Sequence, residues 1–177
     1  MAISPDSKDW TWVLTEPCPE CGLVASEVPP EDIGARVRAD LPRWEAVLAK
    51  PSAGVRPAVG IGASDIWSPA EYACHVRDVF GLFAERLELV LTEDDPQFAN
   101  WDQDATAIEN DYAAQRAATV SAELVAAGTK TAAVFDAVSA AAWGRAGRRS
   151  NGSVFTTATL GQYFLHDVVH HLHDVNR

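Results

Sequence analysis

The run Leu160–Val175, LGQYFLHDVVHHLHDV, has the pattern of a two-sided helix. At about 100° per residue, Leu160, Phe164, Leu165, Val168, Leu172 and Val175 share one apolar arc. His166, His170 and His173 fall on the opposite side, with Gln162 and Tyr163 beside them. One face packs and the other presents polar groups. Four of the five histidines of the chain, His166, His170, His171 and His173, lie in this run. His166 and His170 stand one helical turn apart on one face, close enough to share a cation. The same spacing also arises in surface decoration, and histidine near a helix C-terminus is favoured by the macrodipole. His75 is the one histidine elsewhere.

Three further stretches carry helical periodicity. From Pro30 or Glu31 to Lys50, the residues Ile33, Val37, Leu41, Trp44 and Leu48 recur at spacings of three and four, and Pro42 is expected to kink the helix or restart it. Ser68-Pro69-Ala70-Glu71 is a capping box with proline at the first helical position. It opens a helix whose apolar arc includes Val76, Val79, Phe80, Phe83, Leu87 and Val90, with His75 on the flank of that arc. Ala105–Ala142 is alanine-rich and would span about 55 Å as a single helix, too long for a bundle of this size. A short piece followed by a long helix from about Asp111 to Ala140 is expected instead. Asn151-Gly152 signals a hairpin turn before the last helix, which Thr156 or Thr157 caps. Four amphipathic helices without a strand repeat predict an all-α four-helix bundle over residues 29–177, with room for a small hairpin before the last helix.

The chain has 177 residues and a formal charge of −11, from 25 acidic and 14 basic residues. Such a balance disfavours nucleic acid and anionic membrane surfaces as partners. No apolar run is long enough to span a bilayer. The polar start MAISPDSKDW has no signal-peptide core, so the cytoplasm is the expected location. The tightest basic group, Arg145, Arg148 and Arg149, suits one carboxylate or phosphate and is too small for a duplex footprint. Arg148 and Arg149 precede the last helix and are candidates to hold a carboxylate of a substrate or thiol cofactor.

Residues 1–28 form an irregular N-terminal extension. It contains Trp10, Trp12 and Pro17-Cys18-Pro19-Glu20-Cys21-Gly22. Cys18-x2-Cys21 leaves three readings open: a tight turn with free thiols, a metal knuckle completed by other side chains, or a redox pair. Two thiolates alone do not make a tetrahedral site, so the knuckle reading needs two more ligands from the bundle or from a second subunit of a homodimer. The segment is too apolar for a free tail and too short to enclose a core. Residues 8–28 are therefore expected to dock on the bundle, with the tryptophans in a groove between helices.

Trp67-Ser68-Pro69-x-Glu71-Tyr72-x2-His75-Val76, together with His166-x3-His170-His171, resembles the DinB-like superfamily over roughly Glu31–Arg177. The resemblance implies a four-helix bundle carrying a divalent metal, Zn²⁺ or Ni²⁺, on His75, His166 and His170. On the residues themselves, His171 projects toward the apolar side as a packing or hydrogen-bonding residue, His173 is a substitute ligand, and Asp167 and Asp174 are acceptors behind the ligands. Relatives include bacillithiol- and mycothiol-dependent S-transferases and the mycothiol-dependent maleylpyruvate isomerase domain. The implied activity is transfer of a low-molecular-weight thiol to a small electrophile. A non-catalytic metal-binding module and a metal-dependent hydrolase or isomerase are the alternatives. Three lysines beside eleven arginines suit a GC-rich genome, where mycothiol is the expected thiol.

Overall fold

The computed structural model describes residues 9–57 and 66–177; residues 1–8 of the N-terminal extension lie outside that range. Its helices are α1 (Ile33–Leu48), α2 (Pro69–Thr92), the short α3 (Gln103–Glu109), α4 (Ala117–Asp136) and α5 (Thr157–Asp174). The expected capping box forms, and a second one opens α5. Ser68 Oγ accepts from the Glu71 amide at 3.3 Å while Glu71 accepts from the Ser68 amide at 2.8 Å. Thr156 and Thr159 repeat that exchange at the start of α5. These caps set the phase of the helices that carry the histidines, because each satisfies N–H groups the first turn leaves open.

The four long helices form a bundle in which α1 and α2 each pack against both α4 and α5. The consecutive helices α1 and α2 are thus placed across the bundle from one another. Phe164 of α5 lies at the centre, stacked on Phe135 at 5.2 Å and flanked by Phe83 and Phe80 at 5.4 and 5.9 Å. Burying side chains of this size contributes about 1.5–3 kcal/mol each, so the apolar arc of α5 is one of the anchors of the fold. α1 runs unbroken through Pro42.

The long third helix starts later than the periodicity suggests. Asp111 adopts a left-handed conformation (φ 46°), and Tyr112–Ala114 form a single 3-10 turn before α4 begins. Tyr112 is buried there and its hydroxyl donates to Asp78 at 2.5 Å. That anchor to α2 competes with local helix propensity and wins. The expected hairpin pairs β2 (Ala146–Arg149) with β3 (Val154–Thr156), turning at Gly152 with φ +98°, where glycine alone is comfortable. A two-residue strand, β1 (Gln97–Phe98), adds to β2 in parallel. It is too short to leave a periodic signal.

Residues 9–28 pack on α5. A 3-10 turn at Trp10–Leu14 is capped by Asp9, which accepts from the Thr11 amide at 3.0 Å. Val13, Cys18, Ala25 and Val28 are buried, and Gln162 of α5 donates to the Val28 carbonyl at 2.9 Å. Trp10 and Trp12 are half-buried and stack on each other at 5.9 Å. Trp10 lies over the rings of His166 and His170, at 5.7 and 5.1 Å. Among the described residues, no helix is long and apolar enough to cross a membrane.

Candidate metal centre

The start of α2 is held by a buried carboxylate. Burial works to raise the Glu71 carboxyl, but hydrogen bonds from Arg56 and the Ser68 amide outweigh it and leave the group lowered. Arg56 Nε donates to Glu71 at 2.9 Å. One turn further, His75 points inward and is fully buried. Its ring stacks on Trp101 at 5.3 Å and meets Trp67 at 5.5 Å. Nδ1 has no hydrogen-bond partner, and Nε2 approaches only Asp167, outside good hydrogen-bond geometry. Burial pushes the His75 pKa down against the pull of Asp167, so the imidazole is neutral near pH 7.

α5 meets His75 with Asp167 and His171. His75 Nε2 lies 3.3 Å from Asp167 Oδ1, and His171 Nε2 lies 3.9 Å from the same oxygen. One ligand atom from each of the three falls within 4.8 Å of the others. Asp167 Oδ1 has no hydrogen-bond partner despite its burial. Burial works to raise the Asp167 carboxyl, yet His75 and the neighbouring imidazoles hold it down at about 2. The carboxylate is therefore ionised, as a ligand must be. Behind His171, Asp174 Oδ2 lies 3.1 Å from Nδ1. An N–H on Nδ1 donating to Asp174 leaves Nε2 as the lone-pair nitrogen, turned toward Asp167.

The other turn-spaced pair of α5 faces away from α2. His166 and His170, with ring centroids 5.1 Å apart, meet Cys18 and Cys21 of the N-terminal segment. Cys18 Sγ lies 3.6 Å from His170 Nδ1. His166 is buried, which pushes its pKa down to about 4, and its Nε2 has no hydrogen-bond partner.

The model of the DinB superfamily matches residues 40–175. The chain belongs to the DinB superfamily. Its bundle is similar to that of YfiT from Bacillus subtilis, described as a probable metal-dependent hydrolase with an unusual four-helix bundle topology. The TM-score is 0.66 with 18% identity over 84% of each chain, which is likeness of fold. Comparison with curated proteins gives no match.

In this DinB bundle the three ligands expected from the sequence are divided between two groups. His75 joins Asp167 and His171, whereas His166 and His170 join Cys18 and Cys21. The reason is angular. Positions 167 and 171 sit about 100° round the helix from 166 and 170. His75 lies at the edge of the α2 apolar arc, so it meets the edge of the α5 arc and not its far side. His171 is accordingly a neighbour of His75 as well as the hydrogen-bonding residue expected, through Asp174, and Asp167 stands beside both imidazoles. The sequence did contain the signal, because Asp167-x3-His171 has the same spacing as His166-x3-His170. The donor set fits a divalent cation. Two imidazoles and one carboxylate are the ligands of open catalytic sites, and a cation would satisfy polar atoms that are otherwise buried without partners.

The two arginines diverge. Arg148 is exposed and ion-paired with Asp95. Arg149 lies 5.8 Å over the Tyr163 ring and donates to Asn151 and Ser153. Tyr163 stands one turn before Asp167 on α5. Beside Arg149 is Arg86, a buried residue the sequence did not single out. Burial and the Arg149 charge push its pKa down to about 10, and its Nε has no hydrogen-bond partner. Arg86 also donates to the Ala99 carbonyl at 2.9 Å, so the loop that carries Trp101 joins the arginines to His75.

Proposed function

We propose that this DinB protein is a divalent-metal-dependent enzyme that transfers a low-molecular-weight thiol of the mycothiol type to a small electrophile. His75, Asp167 and His171 hold the metal. The observation that carries the reading is the convergence of these ligand atoms while both nitrogens of His75 and Oδ1 of Asp167 are buried without hydrogen-bond partners. Such groups cost about 1–3 kcal/mol each when left unsatisfied. Three ligands leave coordination positions for a substrate, and the bound cation supplies Lewis acidity toward a thiol or water.

The chain's own residues supply the rest. Asp174 fixes the tautomer and orientation of His171. Trp67 and Trp101 wall His75 and keep bulk water from its ring. Burial pushes the Tyr72 hydroxyl up to about 12, so it keeps its proton and can donate a hydrogen bond; its ring packs on His171 at 5.2 Å. Arg86 and Arg149 offer a cationic pair for a carboxylate of the thiol or the electrophile. Hydrolysis is the second reading, since the same open site can act on water, and the likeness to YfiT favours it.

Metal analysis and a substrate screen on the purified protein test this. Thiol-dependent loss of an electrophile that stops in His75→Ala supports transfer. Ester or amide cleavage that needs no thiol would replace transfer with hydrolysis. Full metal occupancy in His75→Ala at the His75 group would remove the site altogether. Arg149→Ala should raise KM several-fold with kcat little changed, whereas Arg148→Ala should alter neither.

A further inference from the structure

Cys18, Cys21, His166 and His170 are not needed by the proposed chemistry, yet they converge more completely than the His75 group. Four ligand atoms, two thiol sulfurs and two imidazole nitrogens, lie within 4.8 Å of one another. Cys18, His166 and His170 are buried and Cys21 is half-buried. With Zn–S near 2.3 Å and Zn–N near 2.05 Å, the sulfur-to-nitrogen edge of a tetrahedron is about 3.6 Å. The Cys18 Sγ to His170 Nδ1 distance is 3.6 Å. An S–H···N hydrogen bond would explain that distance by itself, but it leaves His166 Nε2 buried without a partner.

The backbone around the cysteines is shaped to present both sulfurs to one point. The Gly22 amide donates to the Cys18 carbonyl and the Cys18 amide to the Leu23 carbonyl, each at 2.9 Å. Gly22 takes φ +75°, the left-handed conformation that closes the turn. The Leu23 amide also donates to the Cys21 sulfur. Beyond the ring of His170, Asp174 Oδ2 lies 3.8 Å from Nε2. Trp10 covers the imidazoles from the solvent side.

We propose that Cys18, Cys21, His166 and His170 bind a second, structural zinc ion that clasps the N-terminal segment to α5. Four protein ligands of the Cys2His2 type close a tetrahedral sphere, in contrast with the open three-ligand group at His75. The two cysteines lie on a turn without regular structure, and zinc supplies the cross-link that burial of a few side chains does not. Asp174 then stands between the two groups, reaching His170 on one side and His171 on the other.

Cobalt substitution of the full chain tests the site independently of any catalytic activity. Apo protein titrated with Co²⁺ is expected to develop tetrahedral ligand-field bands and sulfur-to-cobalt charge transfer. Cys18→Ser and Cys21→Ser should abolish the charge transfer, and His75→Ala should retain it. Zinc content is expected to be two per wild-type chain and one in either Cys21→Ser or His75→Ala. Since the serine variants could misfold, the wild type gives a further measure. Zinc should slow modification of Cys18 and Cys21 by a thiol reagent at least tenfold, and a chelator should restore it. Absence of charge transfer in the wild type, or thiol reactivity indifferent to zinc, would overturn the proposal. Loss of the His75 metal with the sulfur site intact would count only against the catalytic reading.

Discussion

Replacing His75 with leucine should strengthen the metal-free fold while destroying the proposed catalytic centre. In the apo protein His75 is fully buried with both ring nitrogens unpartnered. Each orphaned group costs about 1–3 kcal/mol, whereas an apolar side chain of similar size costs nothing of the kind. Against this, the stacked contact with Trp101 is lost, worth about 0.5–1.5 kcal/mol, and so is the imidazole that steadies the Asp167 carboxylate. The balance is a gain of about 2 kcal/mol, or about 4–8 °C in Tm for a domain of this size. With metal the order reverses, because free metal at a thousand times Kd stabilises the wild type by about 4 kcal/mol and His75→Leu at that site not at all. The Cys18 group is untouched in both proteins and contributes alike. Thermal or urea unfolding in chelator and in excess Zn²⁺ at pH 7.5 measures the crossing. If metal-free His75→Leu were less stable than metal-free wild type by more than about 1 kcal/mol, the nitrogens would be satisfied without a cation and the reasoning would fail.

Asp174→Ala should weaken metal binding at His75, Asp167 and His171 by about 10–100-fold, since it removes the acceptor that orients His171; unchanged affinity by competition with a chromophoric chelator would show that Asp174 has no such role. Gly161→Ala should destabilise the fold by about 1–3 kcal/mol, because the added Cβ would lie 2.5 Å from Ile33 Cδ1 and 2.8 Å from Phe135 Cε1. A variant unfolding at the wild-type urea midpoint would contradict that packing. Glu71 has a lowered pKa in the fold, so its contribution is present above the ordinary glutamate range and is lost as pH falls through the lowered value. Urea titrations from pH 6 to about 3 should therefore show a loss of stability that is smaller in Glu71→Gln, and parallel losses in the two proteins would remove the assignment.

The elements themselves were legible from short-range chemistry. Ser68 with Glu71, Asn151-Gly152 and Thr156 each specify a local backbone event, and each does so in the structure. The apolar arcs of α2 and α5 equally show which faces are buried, because burial of large side chains outweighs any other local preference. The late start of α4 was not legible. It depends on Tyr112 reaching Asp78, a contact between residues 34 positions apart.

For the site, the sequence determined which residues can ligate a cation and how far apart they lie along a helix. It did not determine their grouping. His166-x3-His170 and Asp167-x3-His171 have the same spacing and differ only by about 100° of rotation. Choosing between them requires knowing which side of α5 meets α2 and which is covered by residues 9–28. Packing across the bundle sends Asp167 and His171 to His75, and the Cys18–Cys21 turn claims His166 and His170. The set of candidate ligands is thus written in one dimension, whereas partnership depends on the azimuth at which helices and segments distant in sequence come to rest.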